Sequence, residues 1–364
     1  MSFGARATIR LEALNNNFEL LASLVPGCRV MAAVKANAYG HGIVRVSQAL
    51  TRSDAFAVAR LSEAEELRAA GINQGIVLMG GVIDADDLAR AKDLGCDLVV
   101  HHAEQISLLE QSSPPGAGFK VWLKVDTGMH RLGVDPADAA IAVDRLSAAA
   151  AVAELGLMTH LANADDTNDP MSSRQIERFM ALLEGFGGDV SVANSAALLG
   201  WTDAVRQVAA KSGSTWIRPG ISLYGISPLQ GRSAAELGLQ PAMDFETTLL
   251  SVKPVKAGER VGYGGHWTAD HDTVIGVAAA GYGDGYSRFL PSGTPVLVAG
   301  RRVPLAGVIS MDLLAVDLGP GARDRVGAPV RLWGEGLPVE EVAGYAATTA
   351  YPLVTGVQDR ARQP

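Results

Sequence analysis

Apolar positions at Leu11, Leu14, Phe18 and Leu21 recur three or four residues apart, which predicts an amphipathic helix behind a short extended segment over 6–11. Short apolar, β-leaning runs then alternate with Ala- and Leu-rich stretches of helical period. The runs 29–34, 55–58, 76–79, 97–101, 120–125, 154–160, 190–194 and 215–218 read as eight strands. Strands separated in this way by helical segments fit a closed parallel barrel better than an open sheet. Capping boxes are read at Ser62 with Glu65 and at Ser172 with Gln175. After Tyr224-Gly225 the texture changes. The runs 247–252, 273–278, 295–298, 302–309, 314–318 and 329–333 are short, β-branched and bounded by Gly and Pro, with no helical pattern until 338–346. The expected fold is therefore α/β plus all-β. It comprises an N-terminal eight-stranded parallel (β/α) barrel over 1–235 and a C-terminal β-strand domain over 236–364, joined through a Pro/Gly/Ser connector near 227–243. Residues 1–10 are expected as an extended segment pairing with the C-terminal domain.

Composition narrows the function. With 48% hydrophobic and 19% charged residues, the 364-residue chain has the make-up of a globular protein with a large core. A net charge of −8 and the lack of any basic run argue against nucleic-acid binding, which needs cations to neutralise phosphates. The first residues carry no apolar leader and no apolar stretch approaches a membrane span, so a cytoplasmic location with no membrane partner is expected. Cys28 and Cys96 fall at predicted strands, without a ligand cluster, and read as buried apolar fillers.

Candidate chemistry gathers at the strand ends. In a (β/α) barrel, functional groups collect at the C-terminal face. The ends give Lys35, His101, Lys124 with Asp126, His160, Asn194 with Ser195, and Arg218. Lys35 alone, closing an apolar run, reads as a lysine snorkelling from the barrel mouth, and His160 alone as a satisfied core histidine. Their convergence on one face is what points to a site. No dinucleotide-binding glycine motif, phosphate-loop lysine or H-E-x-x-H occurs, and Gly281-Tyr-Gly-Asp-Gly285 has the wrong spacing. The cluster Asp165, Asp166, Asp169 lacks the glycine and glutamate of a calcium loop, so no metal is expected. A lysine at a barrel mouth then suggests an imine to a carbonyl substrate or to pyridoxal phosphate.

The segment Ala33-Val-Lys-Ala-Asn-Ala-Tyr-Gly-His-Gly42 resembles the cofactor-lysine signature of the alanine racemases. Leu123-Lys-Val-Asp-Thr-Gly-Met-His-Arg-Leu-Gly133, Thr159-His-Leu-Ala-Asn-Ala-Asp165, Ala193-Asn-Ser195, Ile217-Arg-Pro-Gly-Ile-Ser-Leu-Tyr-Gly225, Val261-Gly-Tyr-Gly264, Gly281-Tyr-Gly-Asp-Gly-Tyr286 and Ser310-Met-Asp312 each resemble a family segment, in family order. The likeness spans nearly the whole chain.

The resemblance implies a homodimeric enzyme interconverting L- and D-alanine with pyridoxal 5'-phosphate. Lys35 would hold the cofactor as an imine and act as one base; Tyr263, from the other subunit, would be the opposite-face base. A hydrogen-bond chain from Tyr263 through His160 to Arg218 would stabilise the phenolate. Arg218 would face the pyridine nitrogen, and Asn194 would lie by the cofactor. Gly220 and Ile221 would offer backbone N–H groups to the phosphate, which Ser195 and Tyr351 would share, with Tyr39 packed alongside. Arg131 and the Met311 N–H would bind the substrate carboxylate, and Lys124 matches a lysine carbamylated in many relatives. Gly262, His130 and Ser310 stand where serine, glycine and cysteine are common, and the usual Arg-Val-Pro-Arg ending is absent; these departures leave strict alanine specificity open. The alternatives are a racemase of broader or serine preference, a non-catalytic cofactor-carrying barrel, and a decarboxylase of the same architecture. Arg218 and the absence of a cysteine beyond Cys96 speak against the last.

Overall fold

A computed structural model describes residues 4–112 and 118–362. Strand β1 (Arg6–Ile9) precedes the helix Leu11–Ser23, whose Leu14, Phe18 and Leu21 are buried as their spacing requires, while Leu11 at its start is exposed. Eight parallel strands then close a barrel: β2 (Arg29–Ala33), β3 (Ala55–Val58), β4 (Gly75–Leu78), β5 (Cys96–Val100), β6 (Phe119–Lys124), β7 (Val152–Met158), β8 (Asp189–Ser191) and β9 (Ser214–Ile217). Its interior holds Met31, Ala55, Ala57, Val77, Val99, Trp122, Met158 and Trp216. Trp122 and Trp216 meet edge to face at 5.7 Å. At the N-terminal end of the barrel the Lys120 ammonium lies over both rings and pairs with Asp189 and Glu154. This end is plugged, leaving chemistry to the other.

The remaining strands are antiparallel: β10 (Met243–Val255), β11 (Arg260–Val261), β12 (Trp267–Thr268), β13 (Thr273–Ala278), β14 (Pro295–Val298), β15 (Arg301–Pro304), β16 (Leu314–Asp317) and β17 (Pro329–Trp333). The sheet order is β15-β14-β17-β10-β13-β16, and β1 adds to it by pairing with β10. Two further features tie this sheet to the barrel. Buried Asn17 donates to the carbonyls of Leu223 and Gln240 and accepts from Gln240 N–H, holding the connector against the first helix. The helix Ala350–Thr355 packs on the turn at Lys35.

Several local expectations are corrected. Ser62 caps nothing, because the helix Leu61–Ala69 starts one residue earlier and Glu63 captures the amides of Ala59 and Arg60. Ser172 lies inside the helix Met171–Ala181, buried without a hydrogen bond, and Asp169 caps Met171 instead. The run 302–309 keeps strand form only to Pro304, and 247–252 is the middle of a longer strand. Cys28 precedes β2 and is half-buried; Cys96 is buried within β5. No helix among the described residues is long and apolar enough to cross a membrane.

Candidate active site

The barrel mouth gathers positive charge. Lys35 follows β2, Lys124 ends β6, His160 follows β7, and Asn194 and Arg218 follow β8 and β9, where they form a bridge of their own. Arg131 reaches the same space from the loop after β6, close enough to act electrostatically on Lys35, Lys124 and His160. Burial, then Arg218, Arg131 and Lys35, push the Lys124 amine down to about 8. Lys35 is reached by solvent through the mouth, yet the walls and the two arginines lower its pKa as well. Buried Arg218 falls to about 10 through desolvation alone. His160 is held far below its ordinary value by burial and then by Arg218, Lys124, Arg131 and Lys35, so its imidazole is neutral. Four cations sharing a low-dielectric mouth repel one another, an arrangement that anions relieve.

The backbone next to Lys35 is unusual. Ala36, Asn37, Ala38 and Tyr39 all have φ of 52–53°, a left-handed helical turn built without glycine. Such a conformation costs about 1–2 kcal/mol per residue and persists only when its surroundings over-determine it. His41 donates from Nδ1 toward the carbonyls of Ala38 and Tyr39, and Asn37 Oδ1 accepts from Ile43 N–H at 2.8 Å. Burial pushes His41 down to about 4, which keeps it neutral. Its ring stacks on Tyr224 at 4.5 Å, Tyr224 packs on Tyr39 at 4.9 Å, and Tyr224 Oη donates to the Ala33 carbonyl. At Gly40, φ is +83° and an added Cβ would lie 2.0 Å from the Val354 carbonyl oxygen, so only glycine lets the two domains close here.

Opposite this turn lies a cradle of small donors. Asn194 caps the helix Ser195–Gly200 by accepting from Ala197 N–H, and its amide donates toward His160 Nε2 at 3.4 Å. The Ser195 hydroxyl accepts from the N–H groups of Gly220 (2.8 Å) and Ser222 (3.3 Å). A Cβ on Gly220 would lie 2.6 Å from Tyr39 Oη, so the backbone approaches that phenol closely. The Ser222 hydroxyl is buried without a partner. Tyr351 stands with its ring centroid 6.0 Å from that of Tyr39. Both N–H groups converge on the Ser195 oxygen, the kind of backbone arrangement that also takes up an anion's oxygen.

Comparison with known proteins names the likeness. The model of the alanine racemase N-terminal domain matches residues 9–228, and that of the C-terminal domain matches 242–363. The chain belongs to the alanine racemase family. Alanine racemases of Vibrio atlanticus and Shewanella baltica are 47% and 48% identical to it, over 98% of this chain and 97% of theirs. The biosynthetic alanine racemase of Pseudomonas aeruginosa superimposes with a TM-score of 0.94 at 45% identity, covering 100% of this chain and 99% of that one. A structure from Bartonella henselae, described as alanine racemase with covalently bound pyridoxal phosphate, superimposes at 0.87 with 27% identity, covering 100% and 99%.

Of the residues singled out by likeness to the alanine racemases, the structure brings Lys35, Tyr39, Lys124, Arg131, His160, Asn194, Ser195, Arg218, Gly220, Ile221 and Tyr351 to the barrel mouth. Tyr263 and Met311 stand elsewhere. Tyr263 opens a turn at the tip of the β11–β12 hairpin, 69% exposed, and Met311 is 54% exposed on the β-domain. Neither has a hydrogen bond or ring contact to the barrel mouth among the described residues. The chain from Tyr263 through His160 to Arg218 is not formed within the protomer. The Arg218 guanidinium is taken up by Ser191 Oγ and, at 2.6 Å, by the Thr159 carbonyl, one residue short of His160. Arg131 has no hydrogen-bond or ion-pair partner among the described residues. His101, another strand-end candidate, is half-buried and bonded to the Gly80 carbonyl. Sequence reading overlooked Glu63, Ser222 and Tyr224. Glu63 is hidden by the misplaced capping box, and Ser222 and Tyr224 stand within the family-like segment Ile217–Gly225 without a role of their own.

Proposed function

We propose that the protein interconverts L- and D-alanine with pyridoxal 5'-phosphate held at the barrel mouth, the second base being supplied by a partner subunit. The observation that carries this reading is the mouth itself: Lys35, Lys124, Arg131 and Arg218 surround one space, none of them ion-paired to a carboxylate among the described residues, beside a nest of Ser195, Gly220 and Ser222. Those donors fit a phosphate, the partnerless Ser222 hydroxyl included. Bound there, the cofactor would supply an electron sink that acidifies the α-proton of the amino acid. The protein's own groups do the rest. Lys35 would hold the cofactor through its amine and, once released by substrate, take or return the proton on one face. Its lowered pKa makes the neutral amine more available than an ordinary lysine's. Tyr263 would serve the other face, which requires a second copy to carry it to the mouth. Arg131 would bind the substrate carboxylate with the Met311 N–H. Arg218 remains charged at neutral pH with its guanidinium spent on Ser191 and Thr159, so it would keep a proton off the pyridine nitrogen. A weaker sink favours prompt return of the proton over side reactions.

The test is solvent-deuterium incorporation and loss of optical rotation with L-alanine, L-serine and L-lysine on purified protein. Alanine should react fastest, and the cofactor absorbance should vanish in Lys35→Ala. Serine or lysine reacting faster would replace the substrate, and absorbance surviving in Lys35→Ala would remove that lysine from its role.

A further inference from the structure

Glu63 takes no part in the chemistry above, yet its carboxylate is wired to the cofactor-lysine turn. Oε1 accepts from Ala36 N–H at 2.7 Å, and Oε2 accepts from Ala59 N–H at 2.7 Å and Arg60 N–H at 3.1 Å. One side chain on the helix after β3 thus bolts the end of β2 to the end of β3. Ala36 is the first of the four residues with positive φ. His41, Asn37 and Tyr224 restrain the later part of that turn, while Glu63 takes its first amide. The charged surroundings add a second reason. Around the Lys35 amine, Arg131 and Arg218 favour the neutral form, and Lys124 and the neutral His160 face it across the mouth; Asp126 opposes Lys124, and Glu63 is the carboxylate that acts on Lys35 itself.

We propose that Glu63 is a positioning residue for Lys35, fixing through the Ala36 amide the backbone from which the amine projects and placing a carboxylate beside the cations of the mouth. This rests on the reading of Lys35 given above. Without the anchor, the left-handed turn has a cheaper right-handed alternative. Without the charge, the amine neutralises at lower pH.

The experiment uses full-length protein freed of cofactor, comparing wild type, Glu63→Gln and Glu63→Asp. Two quantities are read: the pH midpoint for reductive methylation of Lys35, located by mass spectrometry, and amide exchange across residues 35–42. An amide side chain loses the charge and can accept on one side only, so Glu63→Gln should move the Lys35 midpoint to lower pH. Exchange in the turn should become about tenfold faster, the factor for loss of one charge-assisted hydrogen bond. Glu63→Asp retains the charge but is one methylene short, so it should keep the midpoint near wild type while exchange still rises. An unchanged midpoint and unchanged exchange in Glu63→Gln would overturn the proposal, as would equal midpoint shifts in both variants. Neither readout needs bound cofactor. Failure of the Lys35 assignment would instead appear as cofactor absorbance persisting in Lys35→Ala, with the methylation result intact.

Discussion

At the scale of single residues, the site places cations where burial makes Lys35, Lys124 and Arg218 more willing to give up a proton. Lys124 carries this furthest. With its amine pushed down to about 8, about a tenth of it is neutral at pH 7, far more than for an ordinary lysine, and is available to attack carbon dioxide. A nitrogen–carbon bond would form, one carbon–oxygen π pair would become the carboxylate charge, and the amine proton would leave to water. The product would be an anion beside Arg131 and Arg218, relieving the crowding of like charges. In ¹³C-bicarbonate, wild-type protein should gain a carbamate resonance that grows as pH rises through about 8 and is missing in Lys124→Met; a bare amine at saturating bicarbonate would rule it out. At the plugged end of the barrel the opposite case occurs. Burial raises Asp97 to about 6 despite nearby Lys120. A carboxyl with a raised folded-state pKa contributes stability that is fully present below its unfolded value near 3.8 and is lost as pH rises through about 6. Asp97→Asn should therefore be more stable than wild type at pH 8, by about 3 kcal/mol, with the gap closing toward pH 4. Melting temperatures of the two proteins across that range check the sign.

At the scale of elements, the strands and helices of the barrel were legible because their apolar periods are long and repeated. Except in β3, whose end at Val58 is as expected, the barrel strands stop one to three residues short of their apolar patterns: β8 stops at Ser191 although the pattern runs to Asn194. That excess is what lifts Asn194 and Arg218 out of the ladder and into the mouth. The left-handed turn was illegible for a different reason. No glycine marks Ala36, Asn37, Ala38 or Tyr39, and the forces that hold them come from Glu63, His41, Tyr224 and the far C-terminal helix. Two substitutions probe this element. Gly40→Ala combines a left-handed φ with a backbone collision at Val354 and should cost about 3 kcal/mol or more, read as a fall in melting temperature together with weaker cofactor retention. Ala36→Gly removes the left-handed penalty and so should leave stability within about 0.5 kcal/mol of wild type. The same exchange at exposed Ala89, within the right-handed helix Ala85–Asp93, should cost about 1 kcal/mol. Equal losses at the two alanines would mean that the turn is not left-handed in solution.

At the scale of the molecule, the chain is two domains whose contacts converge behind the lysine. The pairing of β1 with β10, Asn17 on the connector, and Arg362 Nε donating to the Gly40 carbonyl all pin the β-domain to the back of the barrel mouth. In that pose Tyr263 is exposed and makes no hydrogen bond or ring contact with its own site among the described residues, and Met311, Leu313, Tyr282 and Phe289 leave the β-domain with exposed apolar surface. A two-fold association would cover this surface and carry each Tyr263 to the other copy's Lys35, making two composite sites. The sequence links Lys35 with Tyr263 only through likeness to a family and not through any pattern of its own, because two groups that would meet across subunits leave no spacing to read. Sedimentation should accordingly give a dimer. The sharper measurement is subunit mixing. Lys35→Ala and Tyr263→Phe are each expected to be nearly inactive, and exchanging their subunits should restore about a quarter of wild-type racemisation. Half of the randomly paired dimers would be mixed, each with one complete site. No recovery, with mixed dimers verified by native mass spectrometry, would contradict the account.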